Sequence, residues 1–291
     1  MLTINEKGLG WLRDLPDHRD YTHETEEVKS LLQKSALSKL SEKTLPSAVD
    51  LRKWCPPIVD QRQLGSCTAN AGAGIVGYFE NKAFGTHIVA SRLFLYKVAR
   101  NLEHTTGDVG AEIRDVLKAL TLFGIPPEEY WPYTDETPDF DVEPSAFCYS
   151  YAQSYKAVKY YKLDPPICTP RHVLLERIKM NLAAQLPVIF GFTVFDSIRN
   201  AQDDGMITFP CPMENTIGGH AVVAVGYDDN IHVTSACGKK TTGALLIRNS
   251  WGTEWGMQGY GWLPYKYVLE GLVSDCWSLL QEGWIPLKPF E

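Results

Sequence analysis

Long apolar runs and basic clusters are both missing from this sequence of 291 residues. The longest apolar runs, such as Pro187–Phe190 and Ala221–Val225, are far shorter than the roughly 20 residues of a membrane-spanning helix. The first residues also lack the apolar core of a secretory signal peptide. We therefore expect a protein with no membrane span and no membrane partner, which is cytoplasmic or released without a signal peptide.

The charge balance is acidic, with a formal net charge of -7 at pH 7. A nucleic-acid-binding domain normally carries a surface rich in Lys and Arg, and no such run occurs here. Internal repeats and low-complexity tracts are absent as well, while 44% hydrophobic and 22% charged residues are typical of a globular chain. These observations exclude a nucleic-acid partner and favour a folded globular protein.

The cysteines show no disulfide framework. Their number is odd and their spacing is wide, unlike the pattern of a small disulfide-rich domain. We expect free thiols in a reducing compartment, with every cysteine except Cys67 acting as a small buried apolar residue. The seven are Cys55, Cys67, Cys148, Cys168, Cys211, Cys237 and Cys276.

Helical patterns dominate the first half of the chain and strand patterns the second. Small and apolar residues predict a buried helix from Ser66 to about Lys82, and three- and four-residue spacing predicts helices over Ala111–Phe123 and His172–Leu186. The later runs PVIFGFTVF, HAVVAVGY and GALLIRNSW are rich in β-branched residues, which predicts strands. This segregation indicates an α+β protein of two lobes with a functional cleft between them.

The chain divides near Leu45. Residues 1–44 are polar and include a helix-capable stretch, Glu24–Leu40, so we interpret them as an appendage. A proline-punctuated extended entry follows, and the main domain is predicted over 45–291, with a helical lobe at about 60–165 and a β lobe at about 166–291. Asp228–Gly243 is predicted to be an exposed hairpin between two core strands.

Three residues in this pattern are suited to nucleophilic catalysis. Cys67 opens the first long helix, where unpaired N–H groups and the helix dipole favour the nucleophilic thiolate. His220 stands at the head of an apolar strand after two glycines, and Asn249 ends a strand before aromatic and glycine residues. Taken singly, each also fits an ordinary role as a buried cysteine, a satisfied histidine or a turn asparagine.

Together, these residues and their surroundings resemble papain-like cysteine peptidases. The resemblance rests on the order Cys, His, Asn, on a glutamine six positions before the cysteine, and on the runs GGHAVVAVGYD and NSWGTEWG. It spans Leu45 to Trp277 and implies the two-lobe fold with a β-barrel-like right lobe. It also implies a thiol peptidase that acts on peptide or protein substrates, is a monomer and needs neither a metal nor an organic cofactor.

The resemblance assigns roles to the catalytic residues. Cys67 is the expected nucleophile, His220 the general base and Asn249 the residue that orients the imidazole. Gln61 is expected to form the oxyanion hole with the backbone N–H of Cys67. Leu64 stands where the family normally has a half-cystine, so the disulfide that usually braces the nucleophile loop cannot form.

The same resemblance predicts a substrate site. Gly110 and Ala111 are expected to pair with an extended substrate through their main chain. Trp251 is expected to shield the His–Asn pair. For Asp275 two alternatives stand open: a pocket floor that admits Arg or Lys, or a side chain that faces solvent. The pocket for the second residue on the acyl side is expected to contain Ile113, Val188, Gly191 and Gly219, with Asp275 at its floor.

The role of residues 1–44 is also open. Trp11, Leu12, Leu15 and Tyr21 offer apolar anchors, so the segment is expected either to cover the cleft and inhibit the enzyme, as in a zymogen, or to brace the lobes. Endopeptidase action is the default expectation. The alternative functions are acyl transfer of the transglutaminase kind and an inactive binding module that retains the fold.

Overall fold

The computed structural model describes residues 7–33, 37, 40, 45–154, 159–165 and 169–280. The helices in these ranges are α1 (Glu26–Gln33), α2 (Cys67–Phe84), α3 (Arg92–Leu102), α4 (Ile113–Leu122), α5 (Ala146–Ala152), α6 (Arg171–Ala183) and α7 (Tyr265–Leu269). The strands are β1 (Trp11–Leu12), β2 (Ala48–Asp50), β3 (Ala111–Glu112), β4 (Lys159–Lys162), β5 (Val188–Phe195), β6 (Thr216–Thr234), β7 (Lys240–Arg248), β8 (Tyr260–Pro264) and β9 (Val273–Leu280). The α+β class is confirmed.

Helix α2 is the buried helix that the small residues predict. Its small side chains allow close packing: a Cβ added at Gly72 would lie 2.7 Å from Cγ1 of Val116 in α4. The helix ends at Gly85, which has a φ of 73° and whose N–H donates to the carbonyl of Asn81. A glycine adopts this left-handed conformation without steric cost, so Gly85 terminates the helix. Cys67 is the first residue of the same helix.

Helix α4 starts two residues later than the apolar pattern predicts. Ala111 and Glu112 form β3 instead, because they pair in parallel with Trp11 and Leu12 of β1. The apolar face of α4 is fully buried, as its periodicity predicts. The N-terminal segment therefore pairs with the main domain at one of the residues expected to bind substrate, Ala111.

The two other predicted helices form over shorter ranges. Helix α6 ends at Ala183 rather than Leu186, and Gln185 just beyond it has a φ of 62°. Helix α1 covers the front of the Glu24–Leu40 stretch, of which residues 34–36 and 38–39 lie outside the described part. None of the helices described here is both long and apolar enough to cross a membrane.

The predicted strands form one antiparallel sheet. Its order is β4-β9-β5-β6-β7-β8, and β2 pairs with β6 beside this path. Within the described residues the sheet does not close into a barrel, since β4 and β8 stay at opposite ends of this order. Helix α2 packs against β6, and this contact brings the start of the helix next to the strand that carries His220.

The hairpin between β6 and β7 overturns one expectation about the cysteines. Cys237 at its tip forms a disulfide with Cys211, with 6.0 Å between the two Cα atoms. The expectation that Cys211 and Cys237 are free and buried is therefore wrong. The argument for a reducing compartment rested on free cysteines, so it no longer holds. Four others are free, namely Cys55, Cys67, Cys148 and Cys276, while Cys168 lies outside the described residues.

Candidate active site

Cys67 lies at the first position of α2 and has no exposed surface. Its Sγ accepts a hydrogen bond from the N–H of Ala221 at 3.4 Å, so the cysteine touches the residue that follows His220. Burial raises the pKa of the Cys67 thiol to about 11, and the backbone N–H groups around the sulfur, that of Gly10 among them, only partly oppose this shift. In this structure the thiol is therefore neutral at physiological pH.

His220 is held by two neighbours. Its Nε2 lies 2.8 Å from Oδ1 of Asn249, and its ring stacks on Trp251 with 4.4 Å between the ring centroids. Since Oδ1 of Asn249 accepts, the proton of a neutral ring sits on Nε2 and leaves Nδ1 free as a base. Nδ1 is buried without a hydrogen-bond partner. Burial also lowers the pKa of His220 to about 4, which favours the neutral ring.

The side-chain amide of Gln61 is fixed at both ends. Oε1 accepts from the hydroxyl of Ser250 at 2.5 Å, and Nε2 donates to the carbonyl of Leu64 at 2.8 Å. Nε2 also donates to the carbonyl of Gly8 at 3.0 Å. The carbonyl of Gly8, in the N-terminal segment, thus accepts a hydrogen bond from the Gln61 amide nitrogen that is expected to bind the oxyanion.

The loop before Cys67 is braced without a disulfide. The hydroxyl of Tyr133 donates to the carbonyl of Gln61 at 2.7 Å and lies 2.8 Å from Oγ of Ser66. Leu64, which replaces the half-cystine, is buried in a small apolar cluster with Leu93 and Phe140. Packing and one tyrosine therefore fix the nucleophile loop.

Residues 7–12, which we call the strap, run through the site. The strap is hydrogen-bonded along its length: Gly8 N–H donates to the carbonyl of Arg62 at 3.0 Å, and the N–H of Ala111 donates to the carbonyl of Gly10 at 2.9 Å. A Cβ at Gly8 or Gly10 would come within 2.0 Å of the carbonyl oxygen of Leu64 or 1.8 Å of that of Gly65, respectively. Only glycine fits at these two positions, so the motif Lys-Gly-Leu-Gly-Trp is a signal that the sequence prediction missed.

Trp11 of the strap fills the predicted pocket. Cβ atoms placed on Gly191 and Gly219 would lie 1.9 Å and 2.7 Å from atoms of its indole. The indole Nε1 donates to Oδ2 of Asp275 at 3.1 Å. Ile113 and Val188, the other predicted pocket residues, are fully buried. Three of the predicted pocket residues thus surround one aromatic side chain.

Asp275 is 3% exposed, which excludes the alternative that it faces solvent. It also accepts from the backbone N–H of Asp14 at 2.9 Å and pairs with Lys162 at 3.3 Å. Lys162 in turn pairs with the carboxylate of Asp14 at 3.2 Å. These buried charges, none predicted from the sequence except Asp275, anchor the chain immediately after the strap.

A further ion pair extends this anchor. Arg114 of α4 pairs with Asp20 at 2.8 Å, and Asp14 accepts from the indole N–H of Trp277 at 2.8 Å. Asp164 accepts from the N–H groups of Asp275 and Cys276, and burial raises its pKa to about 7. Among the described residues no group of His, Cys, Asp or Glu side chains is arranged to hold a metal ion.

The structure brings Cys67, at the start of a helix, against the strand that carries His220, whose ring is bonded to Asn249. The family model described as papain family cysteine protease matches residues 45–270. The chain therefore belongs to the papain family of cysteine proteases, and the expected family and two-lobe fold are confirmed.

Two kinds of relative support this assignment. An uncharacterised peptidase C1-like protein of Acanthamoeba polyphaga mimivirus is 35% identical over 97% of this chain and 89% of its own length. Cathepsin K of Gallus gallus is 28% identical over 74% of this chain and 58% of its own. The crystal structure of xylellain, a cysteine protease from Xylella fastidiosa, has a TM-score of 0.76 at 33% identity and covers 96% of this chain and 97% of that one.

Proposed function

We propose that this chain is a cysteine endopeptidase that its own N-terminal segment holds inactive. The observation that carries the proposal is the position of the strap: the carbonyl of Gly8 occupies the Gln61 amide, and Trp11 fills the pocket. Both elements that a substrate would need are occupied by the chain itself. Residues 1–44 are accordingly a propeptide-like segment of a monomeric enzyme, and residues 45–291 form the peptidase domain.

The geometry supports the following reaction. The Cys67 thiolate attacks the scissile carbonyl carbon, while Nε2 of Gln61 and the N–H of Cys67 stabilise the oxyanion. Protonated His220 then gives its Nδ1 proton to the leaving amine, the C–N bond breaks, and an acyl-enzyme remains. His220 next takes a proton from water, which attacks the acyl-enzyme and releases the acid. Asn249 keeps the ring aligned in both steps, and Trp251 shields their hydrogen bond.

The strap acts through electrostatics as well as through blockage. While it is in place, Cys67 and His220 are both fully buried, which raises the pKa of the thiol to about 11 and lowers that of the imidazole to about 4. Both shifts oppose the thiolate–imidazolium pair. Departure of the strap readmits water, so the charged and reactive pair forms only in the open enzyme.

The pocket around Trp11 indicates which substrates the open enzyme prefers. Asp275 accepts an N–H from the indole, so the pocket suits a large side chain that ends in an N–H donor, such as Trp, Arg or Lys. Gly110 and Ala111 pair with the substrate backbone next to that pocket residue, as Ala111 does with Gly10, the neighbour of Trp11. Asp275→Asn is expected to reduce the preference for Arg over Phe at this position in kcat/KM measurements.

The test compares turnover of fluorogenic Phe-Arg and Arg-Arg dipeptide substrates, with thiol present, by three forms of the protein. The form that lacks residues 1–12 keeps the Asp14 anchor but opens the cleft, and we expect its kcat/KM to exceed that of the full chain at least about tenfold. Cys67→Ala in the shortened form abolishes turnover.

Other outcomes point to other functions. Equal turnover by the full chain and the shortened form would show that the strap braces the lobes without inhibiting the enzyme. A folded shortened form that labels amines on a glutamine donor but cleaves no peptide would identify an acyl transferase. A folded form with neither activity would leave a binding module.

A further inference from the structure

The first residue of the strap, Lys7, makes an ion pair that the blocked pocket does not explain. Its Nζ lies 2.6 Å from Oδ2 and 2.7 Å from Oδ1 of Asp60, and the Lys7 side chain is only 9% exposed. A lysine at a protein surface normally keeps its ammonium group in water. The strap therefore holds a largely buried cation against one carboxylate of the main domain.

The order of residues along the strap places Lys7 relative to the bond that is cut. Trp11 fills the pocket on the acyl side, and the carbonyl of Gly8 accepts from the Gln61 amide that is expected to bind the oxyanion. Lys7 directly precedes Gly8. The strap thus passes from the acyl side, across the scissile position, to the leaving-amine side, where Lys7 contacts Asp60.

Contacts within the main domain place Asp60 on the same side. Asp60 forms an antiparallel bridge with Trp251, and the Trp251 ring stacks on His220, which protonates the leaving amine in the proposed reaction. A Cβ placed on Gly252 would lie 3.3 Å from Oδ2 of Asp60. The carboxylate therefore lies beside the residues that handle the leaving group.

Groups outside the strap fix the orientation of Asp60. Oδ1 accepts from the backbone N–H of Arg62 at 2.8 Å, and the Asp60 carbonyl accepts from Nη1 of Arg92 at 2.9 Å. The guanidinium groups of Arg62 and Arg92 pair with other carboxylates, at 2.8 Å and 3.3 Å. Within the described part of the chain, Lys7 is the only ion-pair partner of Asp60. Departure of the strap thus leaves an oriented carboxylate without a counter-ion.

We propose that Asp60 selects a Lys or Arg among the first two residues after the cut. This inference rests on the proposed function, with the Lys7 ammonium in the place of the substrate cation. A substrate ammonium or guanidinium that replaces Lys7 recovers the same charge-assisted hydrogen bonds. Because Asp60 is 41% exposed, we expect the basic side chain to raise kcat/KM by about three- to fivefold, the range of a partly exposed ion pair.

Quenched fluorogenic peptides that differ in one residue after the cut test the proposal. One peptide carries Lys and its match carries N-acetyl-lysine, which keeps the stem and loses the charge. The ratio of their kcat/KM values is measured in full-length Gly10→Val protein, in which the new Cβ collides with the carbonyl oxygen of Gly65 and displaces the strap. The fraction of open enzyme cancels from this ratio. A ratio of about three to five that falls at high salt is expected, and a ratio of one would overturn the proposal.

Two charge-removing variants locate the effect. Asp60→Asn keeps the side-chain size and an acceptor for the N–H of Arg62. Glu270, just after α7, is 57% exposed, so Glu270→Gln is a control with the same change in net charge. We expect Asp60→Asn to bring the ratio to about one and Glu270→Gln to retain it. A preference for Lys that persists in Asp60→Asn would contradict this subsite.

Two further measurements separate this inference from the proposed function. The Phe-Arg and Arg-Arg dipeptide substrates carry no amino acid after the cut, so their turnover tests the peptidase alone. Binding of the peptide pair to full-length Gly10→Val protein that also carries Cys67→Ala requires no turnover. Tighter binding of the Lys peptide, lost in Asp60→Asn, supports the subsite whether or not the protein cuts peptides, and equal affinities refute it.

Discussion

Ser250 connects two of the polar groups that surround the nucleophile. Its hydroxyl donates to Oε1 of Gln61, and its backbone N–H donates to Oδ1 of Asn249 at 2.8 Å. Because Oε1 is occupied in this way, Nε2 of the Gln61 amide is directed to the carbonyls of Gly8 and Leu64. One serine therefore sets the orientation of both the oxyanion donor and the partner of His220.

Loss of the Gln61 donors is expected to slow the open enzyme. In the form that lacks residues 1–12, Gln61→Ala should reduce kcat about 100- to 1000-fold with little change in KM, the usual cost of removing one oxyanion donor. Gln61→Glu is the matched variant, because it keeps the size and removes the N–H groups. Full activity of either variant would exclude Gln61 from the oxyanion hole.

At this scale the candidate catalytic residues could be chosen from the sequence because each sits inside a local motif. Gln61, Cys67 and Asn249 are each flagged by their immediate neighbours along the chain. Asp14 and Lys162 are not, since their importance comes from a contact between residues 148 positions apart. No periodicity or motif marks such a pair, and only the folded chain reveals that it anchors the strap.

Strand β1 forms only through its pairing with β3. Two residues on each side pair in parallel, and an isolated pair of this length has no stability of its own. This explains why the sequence predicted a helix from Ala111, whereas the long apolar strands β5 to β7 were predicted correctly. The N-terminal segment thus takes its strand structure from pairing with the main domain.

A side chain at the second strap glycine is expected to release the strap. Gly10→Val places a Cβ 1.8 Å from the carbonyl oxygen of Gly65, a collision with backbone that cannot move aside cheaply. The full-length variant should gain at least about tenfold in kcat/KM and approach the form without residues 1–12. Leu15→Ala is the control in the same segment, since Leu15 is 73% exposed. Unchanged activity in a folded Gly10→Val protein would show that the strap does not restrict the site.

At the scale of the whole molecule, two sets of contacts among the described residues hold chain segments in place. The Asp14–Lys162–Asp275 charges fix the N-terminal segment, and the Cys211–Cys237 disulfide fixes the tip of the β6–β7 hairpin. No motif in the sequence marks the disulfide, because its cysteines are 26 residues apart and the bond depends on how the hairpin folds back. The pairing contradicts a reading based on cysteine number alone.

Removal of this disulfide is expected to lower stability. In the Cys67→Ala background, Cys211→Ser combined with Cys237→Ser should reduce the free energy of unfolding by about 2–4 kcal/mol, the usual value for a loop of this size. Urea unfolding curves measure the change. Reductant should lower the stability of the parent protein but leave the double variant unaffected. A parent protein that is insensitive to reductant, with all six cysteines other than Cys67 titratable after unfolding, would mean that the bond does not form.

The rate of Cys67 alkylation tests the central claim most directly. Iodoacetamide reacts with thiolate, so its rate against pH reports both the access to Cys67 and its pKa. We predict that the full chain reacts slowly below about pH 10, because the strap buries the thiol and raises its pKa to about 11. The form without residues 1–12 should react much faster near neutral pH. Equal rates for the two forms between pH 6 and pH 8 would contradict the account.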